Sequence, residues 1–391
     1  MGYSFYRDTV AEIDLDAVGH NVRAFRSWLP EKTGIMAVIK ANAYGHGAEQ
    51  VAREALKNGA NRLAVSTLDE AIELQDKGID APILVMTYIP ERGLSEAIAR
   101  GIRITVYHPD HLQQVIAAAV KADHRAILHL KAETGMGRVG ARLHEMPRLV
   151  QEVLAHKCLQ LEGLFTHFAC ADEKDKTHTD RQVERFAQIL QECERLGAKF
   201  SLIHCGNSAT AIDLPQYGFN MVRIGISLYG LYPSPEVSRT NVPLKPVMSL
   251  KTRIVHLKRV PAGTSISYGA TYRSRQEETI ATLPIGYADG FNRRLSNRGS
   301  ALVHGKRVPI VGRICMDQTM LALPDDLEAN LGDEVVLYGR QGAEEIHVDE
   351  IASLLGTINY EITCAVSRRV PRVYKRNGQH VETCIDMVKK L

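Results

Sequence analysis

The chain has 391 residues, 45% hydrophobic and 24% charged, the profile of an ordinary globular protein of two domains. A net charge of +3, evenly spread, gives no grounds for nucleic acid or a membrane surface as partner, and no apolar run is long enough to span a bilayer. Seven scattered cysteines without a CxxC pair suit reduced thiols in a cytosol, not a disulfide framework or a zinc site, and no metal is expected.

At the start, Met1-Gly2-Tyr3-Ser4-Phe5 has no signal-peptide core, and Tyr6 stands where a myristoylation pattern wants Ser or Thr. From about Gly34 to Gly230, short β-rich runs alternate with amphipathic stretches. The pattern predicts strands at 35–40, 62–66, 83–86, 103–107, 126–131, 163–168, 201–205 and 222–226. Helices are predicted between them at 48–58, 68–77, 90–100, 111–122, 146–155 and 179–196. Strand–helix–strand alternation demands a parallel sheet, and this many units match a closed (β/α)8 barrel, with a doubly wound open sheet as the alternative. The prolines at 233, 235, 243 and 246 mark a linker. Beyond it, β-rich runs at 248–257, 278–283, 301–303, 308–311 and 334–338 predict a smaller, mostly-β domain. The division expected is therefore 1–240 for the barrel and 241–391 for the β domain, with the first ten or so residues packing on the second.

In such a barrel, catalytic residues gather where strands end. Lys40 closes the run Ile35-Met36-Ala37-Val38-Ile39 and opens the turn-rich stretch Ala41-Asn42-Ala43-Tyr44-Gly45-His46-Gly47. A buried lysine loses pKa and can attack a carbonyl; an isolated one more often snorkels to solvent. Polar groups also close other strands: Lys131 with Thr134–Arg138 behind it, His167, His204 with Asn207-Ser208, and Arg223 with Gly225-Ile226-Ser227. Loops after the last two strands commonly hold phosphate. For Asn207-Ser208, a plain helix cap and a phosphate ligand are equal readings. Lysine and phosphate cradle together call for pyridoxal phosphate. Arg223 could meet its ring nitrogen and, because arginine keeps its proton, would limit how strongly the ring withdraws electrons; a structural ion pair is the plainer reading.

Six blocks then show a specific likeness. Val38-Ile39-Lys40-Ala41-Asn42-Ala43-Tyr44-Gly45-His46-Gly47 resembles the cofactor-lysine signature of bacterial alanine racemases, which are pyridoxal-phosphate enzymes of fold type III. So do Thr134-Gly135-Met136-Gly137-Arg138, Ser267-Tyr268-Gly269-Ala270-Thr271-Tyr272 and Ile285-Gly286-Tyr287-Ala288-Asp289-Gly290. Gly312-Arg313-Ile314-Cys315-Met316-Asp317-Gln318 and Asn359-Tyr360-Glu361 complete the set, in the family's order across both domains.

The resemblance implies a homodimer that interconverts L- and D-alanine in the cytosol and supplies D-alanine for peptidoglycan. Lys40 would hold the cofactor and serve one face of the substrate Cα. Tyr268, from the other subunit, would serve the opposite face. Tyr44, Ser208, Gly225, Ile226 and Tyr360 would bind phosphate, and Arg223 the ring nitrogen. Arg138 would meet the phenolic oxygen, backed by Lys131, a lysine carbamylated in many relatives. His167 would bond to Tyr268; Met316 N–H and Arg138 would steady the substrate carboxylate; Tyr287 would line the narrow mouth, with Asp317 supporting. Taken singly, Tyr268, Tyr44 and Tyr360 read as structural tyrosines. Glu133 departs from the family's usual aspartate.

Other readings remain. Gly135-x-Gly137-x-x-Gly140 formally matches a dinucleotide fingerprint, but with Arg138 inside it and no acidic residue ending a strand about twenty positions on. A metal hydrolase lacks a His-x-His pair on the first strand. A non-catalytic pyridoxal-phosphate protein would lack the second domain. A related decarboxylase would lack the Ser-Tyr-Gly-Ala block. A serine or broader-specificity racemase is the alternative for substrate.

Overall fold

The computed structural model describes residues 6–385; residues 1–5, on which the reading of the N-terminus rests, lie outside the described residues. Contacts divide the chain into two units. One is Val18–Ala43 with Ala48–Lys245, and the other joins the residues up to Ala17, Tyr44–Gly47 and those from Pro246 onward.

The larger unit is a parallel barrel of Gly34–Val38, Arg62–Val65, Ile83–Val85, Arg103–Val106, Ala126–Lys131, Leu159–Phe165, Leu202–His204 and Met221–Ile224. Successive strands pair in parallel, and the last pairs with the first, Ile35 opposite Val222. Among the described residues no ladder joins Leu202–His204 to Met221–Ile224; a bond from Arg223 N–H to Gly206 O at 3.0 Å spans the gap. The strands are short apolar runs such as Leu63-Ala64-Val65 because helices cover them outside and packed side chains fill them inside. The helices begin on sequence signals: Thr67 and Glu70 form a capping box before Leu68–Asp76, and Pro109 opens Pro109–Ala122.

Three local expectations shift. The sixth strand runs Leu159–Phe165 and not 163–168, so His167 lies in the loop beyond it. The eighth ends at Ile224, leaving Gly225 and Ile226 past its end. The stretch after Lys40 is not an irregular loop. Ala41, Asn42, Ala43 and Tyr44 have φ of 52°, 52°, 54° and 53°, one left-handed turn whose Ala43 N–H reaches Ile39 O at 2.9 Å. The left-handed region costs about 1 kcal/mol or more per non-glycine residue. Glu70 anchors the turn's start by accepting Ala41 N–H at 2.6 Å, and its other oxygen accepts Ser66 N–H at 2.8 Å.

The smaller unit is mostly β, with two short helices, Val348–Leu355 and Asn359–Cys364, that the sequence did not announce. In its main sheet Val10–Asp14 lies between Met248–Arg253, antiparallel, and Arg372–Arg376, parallel. The expected strand at 248–257 is two strands. The chain breaks at Ile254–Val255, and His256–Val260 enters a separate sheet with Glu278–Leu283 and Thr319–Leu323. Val260, Ile266, Ile280, Val311 and Met320 form a small core beneath it. No helix among the described residues is long and apolar enough to cross a membrane.

Candidate active site

The barrel's C-terminal rim carries an excess of positive charge. Lys131 ends its strand buried, its ammonium 5.4 Å from the Phe165 ring centre. Burial, joined by the charges of Arg138, Arg223 and Lys40, lowers its pKa to about 8. Burial, with the charges of Arg223, Arg138, Lys131 and Lys40, also pushes His167 well below the ordinary histidine value. Glu133 opposes them, yet both its oxygens already accept loop amides, Gly135 N–H at 2.5 Å and Gly137 N–H at 3.1 Å. Glu133 thereby fastens the loop that carries Arg138.

Arg223 is buried with only neutral acceptors. It donates to His204 Nδ1 at 2.9 Å, His204 O at 2.7 Å, Thr166 O at 2.8 Å, Cys205 O at 3.1 Å and His167 Nδ1 at 3.2 Å. The structural ion pair is therefore not what holds it. Burial lowers its pKa to about 10. Because His167 Nδ1 accepts from a guanidinium, the neutral ring carries its proton on Nε2.

Asn207 is the helix cap: its Oδ1 accepts Thr210 N–H at 3.1 Å. Ser208, the next residue, faces the eighth-strand loop instead, and its Oγ accepts Gly225 N–H at 3.0 Å, leaving its own proton to donate. Ile226 is buried and opens the short 3-10 turn Ile226–Tyr229.

In the smaller unit, Tyr44 and Tyr360 face each other, ring centres 6.0 Å apart and 47° inclined. Tyr268 is 70% exposed at the tip of the ribbon Ser265–Ile266 and Tyr272–Arg273. The tip is held by Ser267 Oγ donating to Arg313 O at 2.6 Å. Met316 and Tyr287 are also exposed. Their loops interlock, with Ala288 N–H on Met316 O at 3.0 Å, and a side chain on Gly286 would begin 2.3 Å from that carbonyl oxygen. Asp317 accepts Arg369 Nη2 at 2.7 Å. Residues that sequence reasoning passed over are Glu70, Phe165, His129 and Glu162. His129 alone left a trace, two positions before Lys131 and so on the same strand face.

A phosphorylated, negatively charged group fits this rim: buried or half-buried cations outnumber their carboxylates, and the Ser208 hydroxyl has a proton to give beside Gly225 N–H. Fold and charge thus define the class, a (β/α)8 barrel whose rim suits an anionic group. Sequence profiles give the rest. The alanine racemase N-terminal domain matches residues 13–233 and its C-terminal domain residues 247–374. An alanine racemase from Halalkalibacterium halodurans is 49% identical over 96% of this chain and 97% of its own. The crystal structure of alanine racemase from Bacillus anthracis with bound L-Ala-P superposes with a TM-score of 0.93 at 44% identity, over 98% of this chain and 99% of that one. A histidine racemase from Leuconostoc mesenteroides reaches a TM-score of 0.89 at 28% identity, over 95% and 99%. The chain belongs to the alanine racemase family; it is an amino-acid racemase and uses pyridoxal phosphate.

Proposed function

We propose that this enzyme interconverts L- and D-alanine with two bases, Lys40 on one face of the substrate Cα and Tyr268 of the partner subunit on the other. The observation that carries the reading is the placement of Lys40 at the end of the first barrel strand, coupled to Lys131 and His167 in a cationic rim, in a chain that matches the family through both its domains. When bound, pyridoxal phosphate supplies the electron sink that makes the Cα–H acidic.

Lys40 would hold the cofactor through its side-chain amine and, once the substrate's amine has displaced it, would take or return the proton on its own side. Ser208, Gly225 and Ile226, with Tyr44 and Tyr360, bind the phosphate. Arg138 meets the phenolic oxygen and, with Met316 N–H, the substrate carboxylate. A tyrosine hydroxyl, which ordinarily ionises only near pH ~10, is a weak partner for this work unless its anion is stabilised. A neutral His167 that holds its proton on Nε2 does this by donating to the Tyr268 oxygen, so it steadies the phenolate without taking the proton. Lys131, backed against Arg138, reacts with carbon dioxide to form a carbamate that pairs with that arginine. The product D-alanine serves peptidoglycan synthesis in the cytosol, so a strain lacking the enzyme should need D-alanine to grow.

Incubation with L-alanine in heavy water tests the central claim. D-alanine should appear with deuterium at Cα; exchange with retained configuration would mean that a single base operates, and carbon dioxide release would indicate a decarboxylase. The histidine racemase of similar fold supports a second reading, a wider substrate range. An apolar site rejects an added hydroxyl by only ~100-fold, so serine should turn over slowly in the same assay.

A further inference from the structure

The barrel interior is not filled by aliphatic side chains alone. A line of buried polar groups, Arg223, His204, His129 and Glu162, runs from the C-terminal rim toward the opposite end. Arg223 Nη1 lies 2.9 Å from His204 Nδ1, His204 Nε2 lies 2.9 Å from His129 Nδ1, and His129 Nε2 lies 2.9 Å from Glu162 Oε2. Glu162 then meets Arg62 and Arg103, each the first residue of its strand, at 3.3 Å. The line is closely packed. A side chain on Gly163 would begin 2.4 Å from His129 Nδ1, and Phe165 stacks on His204 at 4.7 Å with 9° between the planes.

Hydrogen-bond valence fixes every proton in the line. A guanidinium only donates, so His204 Nδ1 accepts and its proton sits on Nε2. His129 Nδ1 must then accept in turn, and its own proton sits on Nε2, where Glu162 takes it up. Burial disfavours the charged form of both rings, while His129 and the two arginines outweigh burial at Glu162 and hold it at about 2. The reverse arrangement fails at one end. A proton on His129 Nδ1 would require His204 to accept at Nε2 and to carry its own on Nδ1, against the guanidinium N–H.

We infer that His129 and Glu162 are positioning residues of the reaction: the Glu162 carboxylate holds from one end the proton arrangement that Arg223 requires at the other and, through the two histidines, the orientation and potential of Arg223. This rests on the proposed function, with Arg223 paired to the cofactor's ring nitrogen as the family resemblance implies. Each bond polarises the next, so a carboxylate two hydrogen bonds away strengthens His204 Nδ1 as an acceptor for Arg223. Arg223 is thereby held as a cation without a carboxylate at the rim that would compete for the ring.

The test uses holoenzyme with 15N-labelled histidine rings at neutral pH. His129 and His204 should both show a protonated Nε2 and a bare Nδ1. Glu162→Gln, which keeps shape and removes charge, should shift the ring signals of His204, a residue it does not touch. It should also move the visible absorption band of the bound cofactor and lower kcat by ~10-fold, the scale of losing an outer hydrogen-bond partner, with KM for alanine little changed. A wild-type ring protonated on Nδ1 or on both nitrogens overturns the inference, as does a Glu162→Gln enzyme whose His204 signals and kcat match the wild type. The wild-type spectrum needs no variant and can overturn the inference even if Glu162→Gln fails to fold. A protein that takes up no pyridoxal phosphate and racemises nothing would instead defeat the proposed function, leaving the ring protonation to be read independently.

Discussion

Lys131 shows how burial prepares a side chain for chemistry. A lysine kept from water beside Arg138, Arg223 and Lys40 gives up its proton near pH 8, so a sizeable fraction is neutral amine at cellular pH. Carbamate formation consumes the neutral amine and releases a proton. The sign follows: modification should rise through pH 8 and fall away in more acidic buffer. Holoenzyme supplied with 13C-bicarbonate should show a carbamate resonance that strengthens between about pH 6.5 and 9, on either side of that pKa, and is missing from Lys131→Ala. A spectrum without it across that range, or one that survives in Lys131→Ala, would rule the carbamate out. Glu133 likewise fixes a neighbour, since its two oxygens fasten amides of the loop that carries Arg138.

The element with the most constrained interior is the sixth barrel strand, Leu159–Phe165, which places Glu162, Gly163 and Phe165 within four positions. Gly163 pairs with His129 across the sheet, and the imidazole occupies the space a methyl group would need. Gly163→Ala should therefore cost about 1–3 kcal/mol, the range for overpacking a filled core. Urea titration would read it as a lower midpoint at unchanged slope. An alanine variant as stable as the parent would mean that the His129 ring can move aside, and the fixed line of hydrogen bonds would lose its packing support. The left-handed turn at Ala41–Tyr44 is a second constrained element. Its strain follows Lys40 immediately, and Glu70 holds its first amide.

On the scale of the whole molecule, the proposal assigns one active site to two subunits. Tyr268 is exposed at the tip of its ribbon, and Tyr287 and Met316 are exposed on neighbouring loops of the same unit. Lys40→Ala and Tyr268→Phe should each be nearly inactive, with Tyr268→Phe keeping its cofactor. Mixed and reassociated, half the dimers are hybrids with one intact site of two, so about a quarter of wild-type activity should return in a symmetric dimer with shared sites. No recovery after verified exchange of subunits would place Lys40 and Tyr268 of one site on the same chain.

Much of this molecule is legible in its residues alone. All eight barrel strands are visible as apolar runs between amphipathic helices, because a parallel strand buried on both faces has little room for polar residues. The six motif blocks point to the family, since a lysine, tyrosines and glycines stand in the family's order through both domains. Val10–Asp14 could not be read as a central strand, because its partners Met248–Arg253 and Arg372–Arg376 lie far along the chain. Nor could the break at Ile254–Val255, where one apolar run feeds two sheets. Fold class and the polar residues near strand ends, Lys40, Lys131, His204 and Arg223 among them, follow from local pattern, and so they could be read from the chain unaided. That Arg223 rests on neutral acceptors, that Asn207 is a cap, and that Glu162 is wired through two histidines emerged only with the folded barrel. Those facts depend on which groups meet across its interior, and proximity between distant strands is not written in the periodicity of any one of them.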